Sequence, residues 1–233
     1  MGTEPRDAGT RVLVIGGWGR CGSTLLDMLL GQLEGFVSAG EVRELWLHGL
    51  VEDRPCGCGE SFRDCPFWTK VGAEAYGGWD RLDLDRVMRV RYSWDRAFSI
   101  PRLVKARGRE LEDTDLAYYT DSLQRLLAAI SSVSGGAVVI DSSKLPSHTM
   151  LLQRIPGLDL RLVHLVRDSR GVAYSNQKHD AKAAPAGEST RPPRYGPAMS
   201  ALRYDLYNGV TTALGRAKAL PYVLLRYEDL IGE

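Results

Sequence analysis

The sequence predicts an α/β fold in three layers, in which helices flank a central, mostly parallel sheet. Short apolar runs of β type alternate with stretches of helical spacing, and this alternation is typical of parallel sheets. A glycine-rich turn joins the first run to a helix, and polar residues follow several of the others. Ligands of open α/β sheets bind at that carboxyl edge, so we expect the functional site there. The apolar runs are the start of Arg11–Leu30, Phe36–Ser38, Ala137–Ile140, Leu160–Val166 and Pro221–Leu225.

The composition favours one globular domain with a sizeable core. The chain has 233 residues, of which 44% are hydrophobic, and its formal net charge is only +1. A charge this small gives no general attraction to nucleic acid or to an anionic membrane, so an anion site must be local. We predict a single domain over residues 11–233, after a flexible tail of residues 1–10. The tail lacks the apolar core of a signal peptide and no run is long enough to span a bilayer, so we expect a cytoplasmic protein.

The first functional feature is Gly17–Thr24, which lies between the first strand and a helix. Its glycines allow tight turns that aim backbone N–H groups inward, and the helix start adds a positive dipole end, so the turn suits an anion. The spacing fits the nucleotide-binding pattern G-x-x-x-x-G-K-[ST], but Ser23 occupies the lysine position. That lysine and a magnesium ion serve the highly charged terminal phosphates of nucleotides, whereas a sulfuryl group carries less charge. We therefore expect no metal in the active site; an ordinary strand–turn–helix corner is the alternative interpretation.

The residues G-x-x-R-x-G-S-T-L at positions 17–25 resemble the 5′-phosphosulfate loop of sulfotransferases, usually written P-[RK]-S-G-[ST]-[ST]-L. These enzymes use 3′-phosphoadenosine-5′-phosphosulfate (PAPS) as donor and release 3′-phosphoadenosine-5′-phosphate (PAP). Here Gly19 replaces the proline and Cys21 replaces the serine, and both changes leave the backbone N–H groups that cradle the phosphate. The resemblance implies that the donor-binding residues of the loop are Gly19, Arg20, Cys21, Gly22, Ser23, Thr24 and Leu25.

The second feature is Glu41, which follows the short second strand and precedes a helix predicted over Glu41–Leu50. A charge that satisfies the helix dipole is the simplest interpretation of this residue. However, Gly40-Glu41-Val42-Arg43 resembles the G-E-E-T-R segment of tyrosylprotein sulfotransferases, whose second Glu is the proposed general base, with the Arg near it. The matching residues are Glu41 and Arg43, whereas Gly40 occupies the position of the first Glu in the G-E-E-T-R segment. The resemblance implies that Glu41 is the base, but it does not imply that this chain shares the acidic-peptide substrate of tyrosylprotein sulfotransferases.

The third feature is Asp141–Lys144, at the carboxyl end of the strand Ala137–Ile140. It resembles the sulfotransferase segment after the third strand, which often carries a lysine near the transferring sulfuryl group. When the following Leu-Pro is aligned, Lys144 falls where cytosolic members place a catalytic His, and Ser142 falls where they place a Lys. We expect Lys144 to act on the bridging or sulfuryl oxygens; a solvated lysine at a strand end is the alternative. His148 lies one turn further on; an ordinary helix residue is its simplest interpretation, and it is the substitute base if Glu41 fails.

The fourth feature follows the strand Leu160–Val166, where the pattern R-D-x-R-x-x-x-x-S runs from Arg167 to Ser175. It resembles the segment with which sulfotransferases hold the 3′-phosphate that distinguishes PAPS from ATP. The resemblance implies that Arg167 and Ser175 bind this phosphate, and the planar guanidinium suits paired bonds to phosphate oxygens. An Arg–Asp surface pair on a helix cap is the alternative.

The last strand leads into Tyr227-Glu228-Asp229-Leu230, which resembles the family segment whose Tyr approaches the adenine. The resemblance assigns that contact to Tyr227. Sulfotransferases normally continue with a helix and a basic loop, so we expect the C-terminal end of this chain to be truncated; an unusually open donor site is the alternative. Residues 177–197 mix Pro, Gly and charges without a period, which predicts a mobile loop. The loop offers four cations to an anionic substrate, and solvated loop charges are the alternative interpretation; the four are Lys178, Lys182, Arg191 and Arg194.

Residues 51–134 carry no family motif. Their pattern predicts a helical insertion that begins with a cysteine hairpin. Apolar spacing predicts helices within Leu82–Lys105 and Asp115–Val133, with their aromatic and leucine side chains, Phe98 among them, in the core. Three cysteines of the hairpin are candidate zinc ligands, but C-x-C-x₆-C lacks a clear fourth partner. A tight cysteine-containing turn and a redox-labile pair remain alternatives. The three cysteines are Cys56, Cys58 and Cys65.

Together the segments predict in-line transfer of a sulfuryl group from PAPS to an acceptor hydroxyl. Glu41 would take the acceptor proton, while Arg20 and Lys144 would stabilise charge on the transferring group. The acceptor would be a small molecule or a glycan, with no nucleic acid involved. A small-molecule kinase that uses ATP and Mg²⁺ and a non-enzymatic nucleotide-binding module are the alternative functions.

Overall fold

A computed structural model describes residues 9–106, 113–178, 196–217 and 220–232. Its centre is a sheet of five parallel strands in the order β2-β3-β1-β4-β5, with helices on both faces, which confirms the predicted α/β class. The central strand β1 lies between β3 and β4, so its carboxyl end is the middle of the functional edge. The strands are β1 (Thr10–Gly16), β2 (Phe36–Ser38), β3 (Val138–Lys144), β4 (Leu158–Val166) and β5 (Tyr222–Arg226).

The helices of the described residues connect these strands in chain order. α2 continues into a π-helical segment at Leu45–Val51, and short 3₁₀ turns occur at Trp79–Arg81 and Ala97–Ser99. The helices are α1 (Ser23–Leu30), α2 (Val42–Glu44), α3 (Pro66–Tyr76), α4 (Leu84–Ser93), α5 (Ile100–Lys105), α6 (Thr114–Val133), α7 (Pro146–Leu152), α8 (Ser169–Lys178), α9 (Pro197–Arg216) and α10 (Tyr227–Leu230). None of the helices in the described ranges combines the length and the apolar character that crossing a membrane requires.

The main core lies between the sheet and α6, the longest helix of the predicted insertion. Val12, Val14 and Val139 face this side of the sheet and are at most 1% exposed. The inward side chains of α6 recur every three or four residues, which is the helical spacing that the sequence predicts. Removing one such leucine side chain typically costs about 2–5 kcal/mol. The fully buried side chains of α6 are Tyr119, Leu123, Leu126, Leu127 and Ile130.

The helix predicted within Leu82–Lys105 is wrong in its continuity, because α4 ends at Ser93 and α5 begins at Ile100. Pro101 stands in the first turn of α5, where it fits a helix start but would break a helix interior. The intervening residue Asp95 is fully buried, with its backbone carbonyl used by another part of the chain. Phe98 was expected in the core but is 83% exposed, since it lies in the turn between the two helices.

Strand β3 extends further than the predicted run Ala137–Ile140. It continues to Lys144, which pairs in register with Gly16 at the end of β1, after an irregularity in the register beyond Val14. Pairing with β1 at Asp141 and Lys144 thus keeps polar residues in the sheet that their composition alone would exclude. The consequence is that the last residue of β3 lies beside the start of the glycine-rich loop.

Parts of three predicted segments lie outside the described residues. These are residues 1–8 of the predicted tail, residues 107–112 of the predicted insertion, and residues 179–195 of the predicted loop, including Lys182, Arg191 and Arg194.

Candidate active site

The glycine-rich loop is a tight turn that needs glycine at two positions. Gly17 has φ 143°, and a Cβ atom there would lie 2.4 Å from the carbonyl oxygen of Leu165. Gly22 has φ 97° and precedes α1, whose first turn is capped by no side chain. The backbone N–H of Cys21 donates to the carbonyl oxygen of Trp18 at 3.3 Å, which closes the turn. The loop therefore presents an uncapped helix start of the kind that binds anions.

The loop residues differ in how much of each side chain reaches solvent. Cys21 is 2% exposed and Ser23 is 5% exposed, so both residues are buried within the loop. Burial raises the pKa of the Cys21 thiol, although the nearby charge of Lys144 opposes this shift. The side chains of Arg20 and Thr24 are exposed, as is that of Leu25, and a Cβ atom on Gly19 would meet open space. Arg20 is thus the cation that the loop offers outward.

The structure brings Arg20 together with the two residues predicted to hold the 3′-phosphate. Arg20 Nε donates a hydrogen bond to Ser175 Oγ at 3.2 Å. Arg167 Nη1 donates to the backbone carbonyl of Arg20 at 3.3 Å, although the two residues are 147 positions apart. Arg20 itself has φ 67°, a left-handed conformation that is uncommon outside glycine. Two guanidinium groups and a hydroxyl therefore converge at the ends of β1 and β4.

Tyr227 joins this group from the end of β5. The guanidinium carbon of Arg167 lies 4.3 Å from the centre of the Tyr227 ring, a cation–π contact. The other partner of the ring is the loop, since a Cβ atom on Gly22 would lie 2.3 Å from Tyr227 Cδ2. The segment is also held by Glu228, whose carboxylate accepts a hydrogen bond from the backbone N–H of Asp168 at 2.9 Å. The predicted donor-binding residues of β1, β4 and β5 thus form one contiguous group.

Glu41 and Lys144 form an ion pair on the other side of the loop. Lys144 Nζ donates to Glu41 Oε1 and, at 3.0 Å, to the backbone carbonyl of Ser142. The side chain of Lys144 is 17% exposed and that of Glu41 is 44% exposed, so the carboxylate faces solvent while the ammonium is largely covered. Lys144 also has φ 65°, which turns the chain at the end of β3. A proton acceptor and a cation are therefore adjacent at the edge of the loop.

The backbone on both sides of Glu41 is tied to the end of β3. Gly40 has φ 66°, and its carbonyl accepts a hydrogen bond from the backbone N–H of Ser142 at 2.8 Å. After Glu41, the N–H of Val42 donates to Asp141 Oδ1 at 3.3 Å, and the N–H of Arg43 donates to Ser143 Oγ at 3.1 Å. These bonds fix Glu41 and Lys144 to the same two strand ends.

His148 does not fit the role of substitute base. It is fully buried in α7, with Nδ1 2.7 Å from Asp95 Oδ2 and Nε2 3.0 Å from Asp141 Oδ2. Burial alone would lower the pKa of His148, but the two carboxylates outweigh it and raise that pKa to about 10. A protonated imidazole whose two N–H groups are both hydrogen-bonded cannot take a proton from the hydroxyl group of an acceptor substrate. Its function is to link the strand end that carries Lys144 to the insertion.

Arg43 belongs to the same buried network rather than to the open site. Its guanidinium donates to the backbone carbonyl of Asp95 through Nε at 3.0 Å and Nη2 at 2.8 Å, and it also pairs with Glu44. Burial would lower the pKa of Arg43, but the carboxylates of Asp95 and Glu44 outweigh it and raise that pKa. Arg43 is thus close to Glu41 in sequence, but its side chain supports Glu41 from within the buried network and does not enter the open site. Asp95 was missed in the sequence because nothing local marks an isolated Asp in an irregular segment.

A cavity of about 630 Å³ lies away from these residues. Its lining is mainly aliphatic and includes Leu158 at the start of β4 and Pro221 just before β5. It therefore opens at the amino ends of the strands, opposite the edge that carries the charged groups described above. Its position and its apolar lining do not suit an anionic ligand.

One family model matches most of the chain. It is described as the sulfotransferase family, and the match covers residues 13–233, which include the loop, both strand-end groups and Tyr227. A search of curated proteins finds no significant match.

Proposed function

The chain belongs to the sulfotransferase family, whose members transfer sulfuryl groups, and we propose that its donor is PAPS and its acceptor a hydroxyl group. The observation that carries this proposal is the convergence of Arg20, Arg167 and Ser175. It joins a loop suited to a 5′-phosphosulfate to a second cationic group suited to a further phosphate. PAPS carries phosphate at both positions, whereas ATP lacks the 3′-phosphate.

In this proposal the donor lies along the carboxyl edge of β1, β4 and β5. The backbone N–H groups of Gly17–Thr24 hold the 5′-phosphosulfate, and Arg20 neutralises part of its charge. Arg167 and Ser175 hold the 3′-phosphate, and Tyr227 contacts the adenine. The cation–π contact between Arg167 and Tyr227 supports this arrangement, because it places the phosphate-binding guanidinium against the ring that would meet the base.

The chemical step uses the ion pair of Glu41 and Lys144. The acceptor oxygen attacks the sulfur in line while the bond from sulfur to the phosphate oxygen breaks, and PAP leaves. Glu41 takes the proton of the attacking hydroxyl, for which its exposed carboxylate is available. Lys144 turns from Glu41 to the sulfuryl or bridging oxygen, where its charge stabilises the transition state. Opening the ion pair frees the base at the moment when the donor arrives.

We propose that this step requires no metal. In nucleotide kinases a lysine of the loop and Mg²⁺ manage the charge of the terminal phosphates. Here Ser23 stands at the position of that lysine, and it is buried. In this proposal Arg20, within the loop, and Lys144, beside the start of the loop, supply the positive charge for the transferring group.

A thermal-shift comparison of nucleotides tests the donor. PAP should raise the melting temperature of the protein in the presence of a chelator, because a ligand that binds only the folded state stabilises it. ATP with Mg²⁺ should raise it less at the same concentration. Stabilisation by ATP with Mg²⁺ and none by PAP would contradict the proposal and favour a small-molecule kinase. Binding of PAP by a protein that consumes no PAPS with any hydroxyl acceptor would favour a nucleotide-binding module.

A further inference from the structure

Three cysteine sulfurs meet in the insertion, away from the donor site. The Sγ atom of Cys65 lies 3.5 Å from that of Cys56 and 3.6 Å from that of Cys58, and all three lie within 4.8 Å of one another. Cys65 is buried, Cys56 is half-buried and Cys58 is exposed. The sequence spacing alone does not favour a metal, because it offers only three ligands. The structure adds the observation that the three sulfurs lie close together in a triangle.

The distances between the sulfurs correspond to a metal site rather than to a disulfide. A disulfide places two sulfurs about 2.05 Å apart and leaves a third cysteine aside. Zinc binds thiolate at about 2.3 Å in tetrahedral geometry, which puts neighbouring sulfurs about 3.8 Å apart. The two distances to Cys65 are close to the edge of such a tetrahedron. The sulfurs thus form approximately one face of it.

We propose that Cys56, Cys58 and Cys65 bind one Zn²⁺ ion. Each thiol releases its proton to solvent as its sulfur becomes a ligand, so binding releases three protons. Within the described residues the cluster contains only these three ligand groups, so the fourth position is filled by water or a small external thiol. Cys58 is exposed, which leaves that position open to solvent. Three soft thiolates with no carboxylate favour zinc over magnesium or calcium.

The backbone already holds the sulfurs in place. Pro55 and Ser61 form an antiparallel bridge, and the N–H of Cys56 donates to the carbonyl of Glu60 at 2.7 Å. The hairpin turns at Gly59, which has φ 96°. The N–H of Cys65 donates back to the carbonyl of Ser61 at 2.9 Å, which joins the hairpin to the helix that follows. A site that is formed in advance loses less conformational entropy when the ion binds.

Cys65 joins the hairpin to the helix that follows it. It is the N-cap of α3, an 11-residue helix. Behind it the ring of Phe62 stacks on Trp68, with ring centres 5.1 Å apart. An ion at the three sulfurs would therefore clamp the hairpin onto the aromatic base of the insertion. Its role is structural, because the group around Arg20 and the pair of Glu41 and Lys144 use none of these residues.

Cobalt titration of the intact chain tests the proposal. The protein is reduced, stripped with a chelator and titrated with Co²⁺ alone, whose thiolate charge-transfer and tetrahedral ligand-field bands report the ligands. Wild type should show both bands at one ion per chain, and added Zn²⁺ should abolish them. Zinc measured by mass spectrometry after purification without chelator should approach one equivalent. Absence of the bands in protein with four titratable thiols would overturn the proposal, as would a disulfide among the three cysteines that re-forms after reduction.

Two variants locate the ion. Cys58→Ser changes an exposed side chain, so the protein should fold but lose the cobalt bands and the bound zinc. Cys21→Ser is the matched control, since Cys21 lies in the loop, and it should keep both. Zinc should also raise the melting temperature of stripped wild type but not that of Cys58→Ser. Equal zinc contents in Cys58→Ser and wild type would overturn the assignment.

Discussion

Lys144 and Glu41 form an ion pair across the carboxyl ends of the neighbouring strands β3 and β2. The pair stands beside the loop, because Lys144 is in register with Gly16 at the end of β1. The position of each partner is fixed by backbone bonds rather than by the pair itself, since Gly40 and Val42 are tied to Ser142 and Asp141. The pair can therefore open without disturbing the strands that carry it.

Replacing Glu41 by Gln should abolish turnover with little effect on PAP binding. The amide keeps the shape of the side chain but cannot accept the proton, and the loss of a general base typically costs about a hundredfold or more in rate. Steady-state turnover and calorimetric binding of PAP measure the two effects. Glu34→Gln is the control, because Glu34 is exposed before β2 and outside the site. A fully active Glu41→Gln protein would reassign the base.

Replacing Lys144 by Gln should lower turnover by about a hundredfold, since one transition-state contact of this kind typically contributes that much. The affinity for PAP should change by only a few-fold, because PAP lacks the sulfuryl group whose transfer Lys144 assists in the transition state. Lys144→Arg should recover part of the rate by restoring a cation. Equal losses of turnover and PAP affinity would show that Lys144 holds the phosphate rather than the transferring group.

Replacing Asp95 by Asn should destabilise the protein by about 3–5 kcal/mol, the typical cost of breaking a buried ion pair. Asp95 is fully buried and accepts hydrogen bonds from His148 and from the hydroxyl of Tyr119, at 2.7 and 2.8 Å. Urea unfolding gives the change in the free energy of unfolding. Asp121→Asn removes an exposed pair with Arg125 and should cost less than about 1 kcal/mol. Equal effects of the two substitutions would contradict the role of the network.

The charge of His148 should make stability depend on pH in the alkaline range. The folded pKa is about 10, against an unfolded value of about 6.5, so the folded state binds this proton more tightly. The stabilisation is complete below about pH 6.5 and is lost as the pH rises through about 10. The groups facing the imidazole are the carboxylates of Asp95 and Asp141, with Arg43 and Tyr119 behind Asp95.

The measurement is the free energy of unfolding of wild type and His148→Gln between pH 6.5 and 10. The difference between the two proteins should shrink toward the upper limit. If the variant does not fold, proton NMR of the wild-type imidazole should show a charged ring at pH 8. A ring that titrates near pH 6.5 would contradict the buried imidazolium.

The sequence predicts that the candidate site residues lie together because each of them follows an apolar run, while their proposed roles come from the resemblance to sulfotransferases. Arg20, Lys144, Arg167 and Tyr227 all stand at strand ends, and parallel strands bring those ends to one edge whatever the loops do between them. The same reasoning placed Glu41 beside them. Patterns that repeat along one strand or helix are sufficient for this part of the fold.

The buried network around Asp95 and His148 could not be predicted from the sequence, because it depends on contacts between residues that are distant in the chain. Asp95 lies in the break between α4 and α5, and its importance comes from His148, which is 53 positions away. The sequence predicts His148 as a substitute base one turn beyond Lys144, yet folding buries it completely. The triangle of Cys56, Cys58 and Cys65 likewise follows from the hairpin geometry, which the spacing of the cysteines does not determine.

The most direct test of the donor assignment is calorimetric titration of Arg167→Ala with PAP and with adenosine 5′-phosphate. Loss of a charge-assisted contact should weaken PAP binding by about 10- to 100-fold relative to wild type. The affinity for adenosine 5′-phosphate, which lacks the 3′-phosphate, should change much less. Arg170→Ala is the matched control, because the Arg170 side chain is 91% exposed and pairs only with Asp168 among the described ion pairs. Equal affinities for PAP in wild type and Arg167→Ala would contradict the PAPS site proposed for this chain.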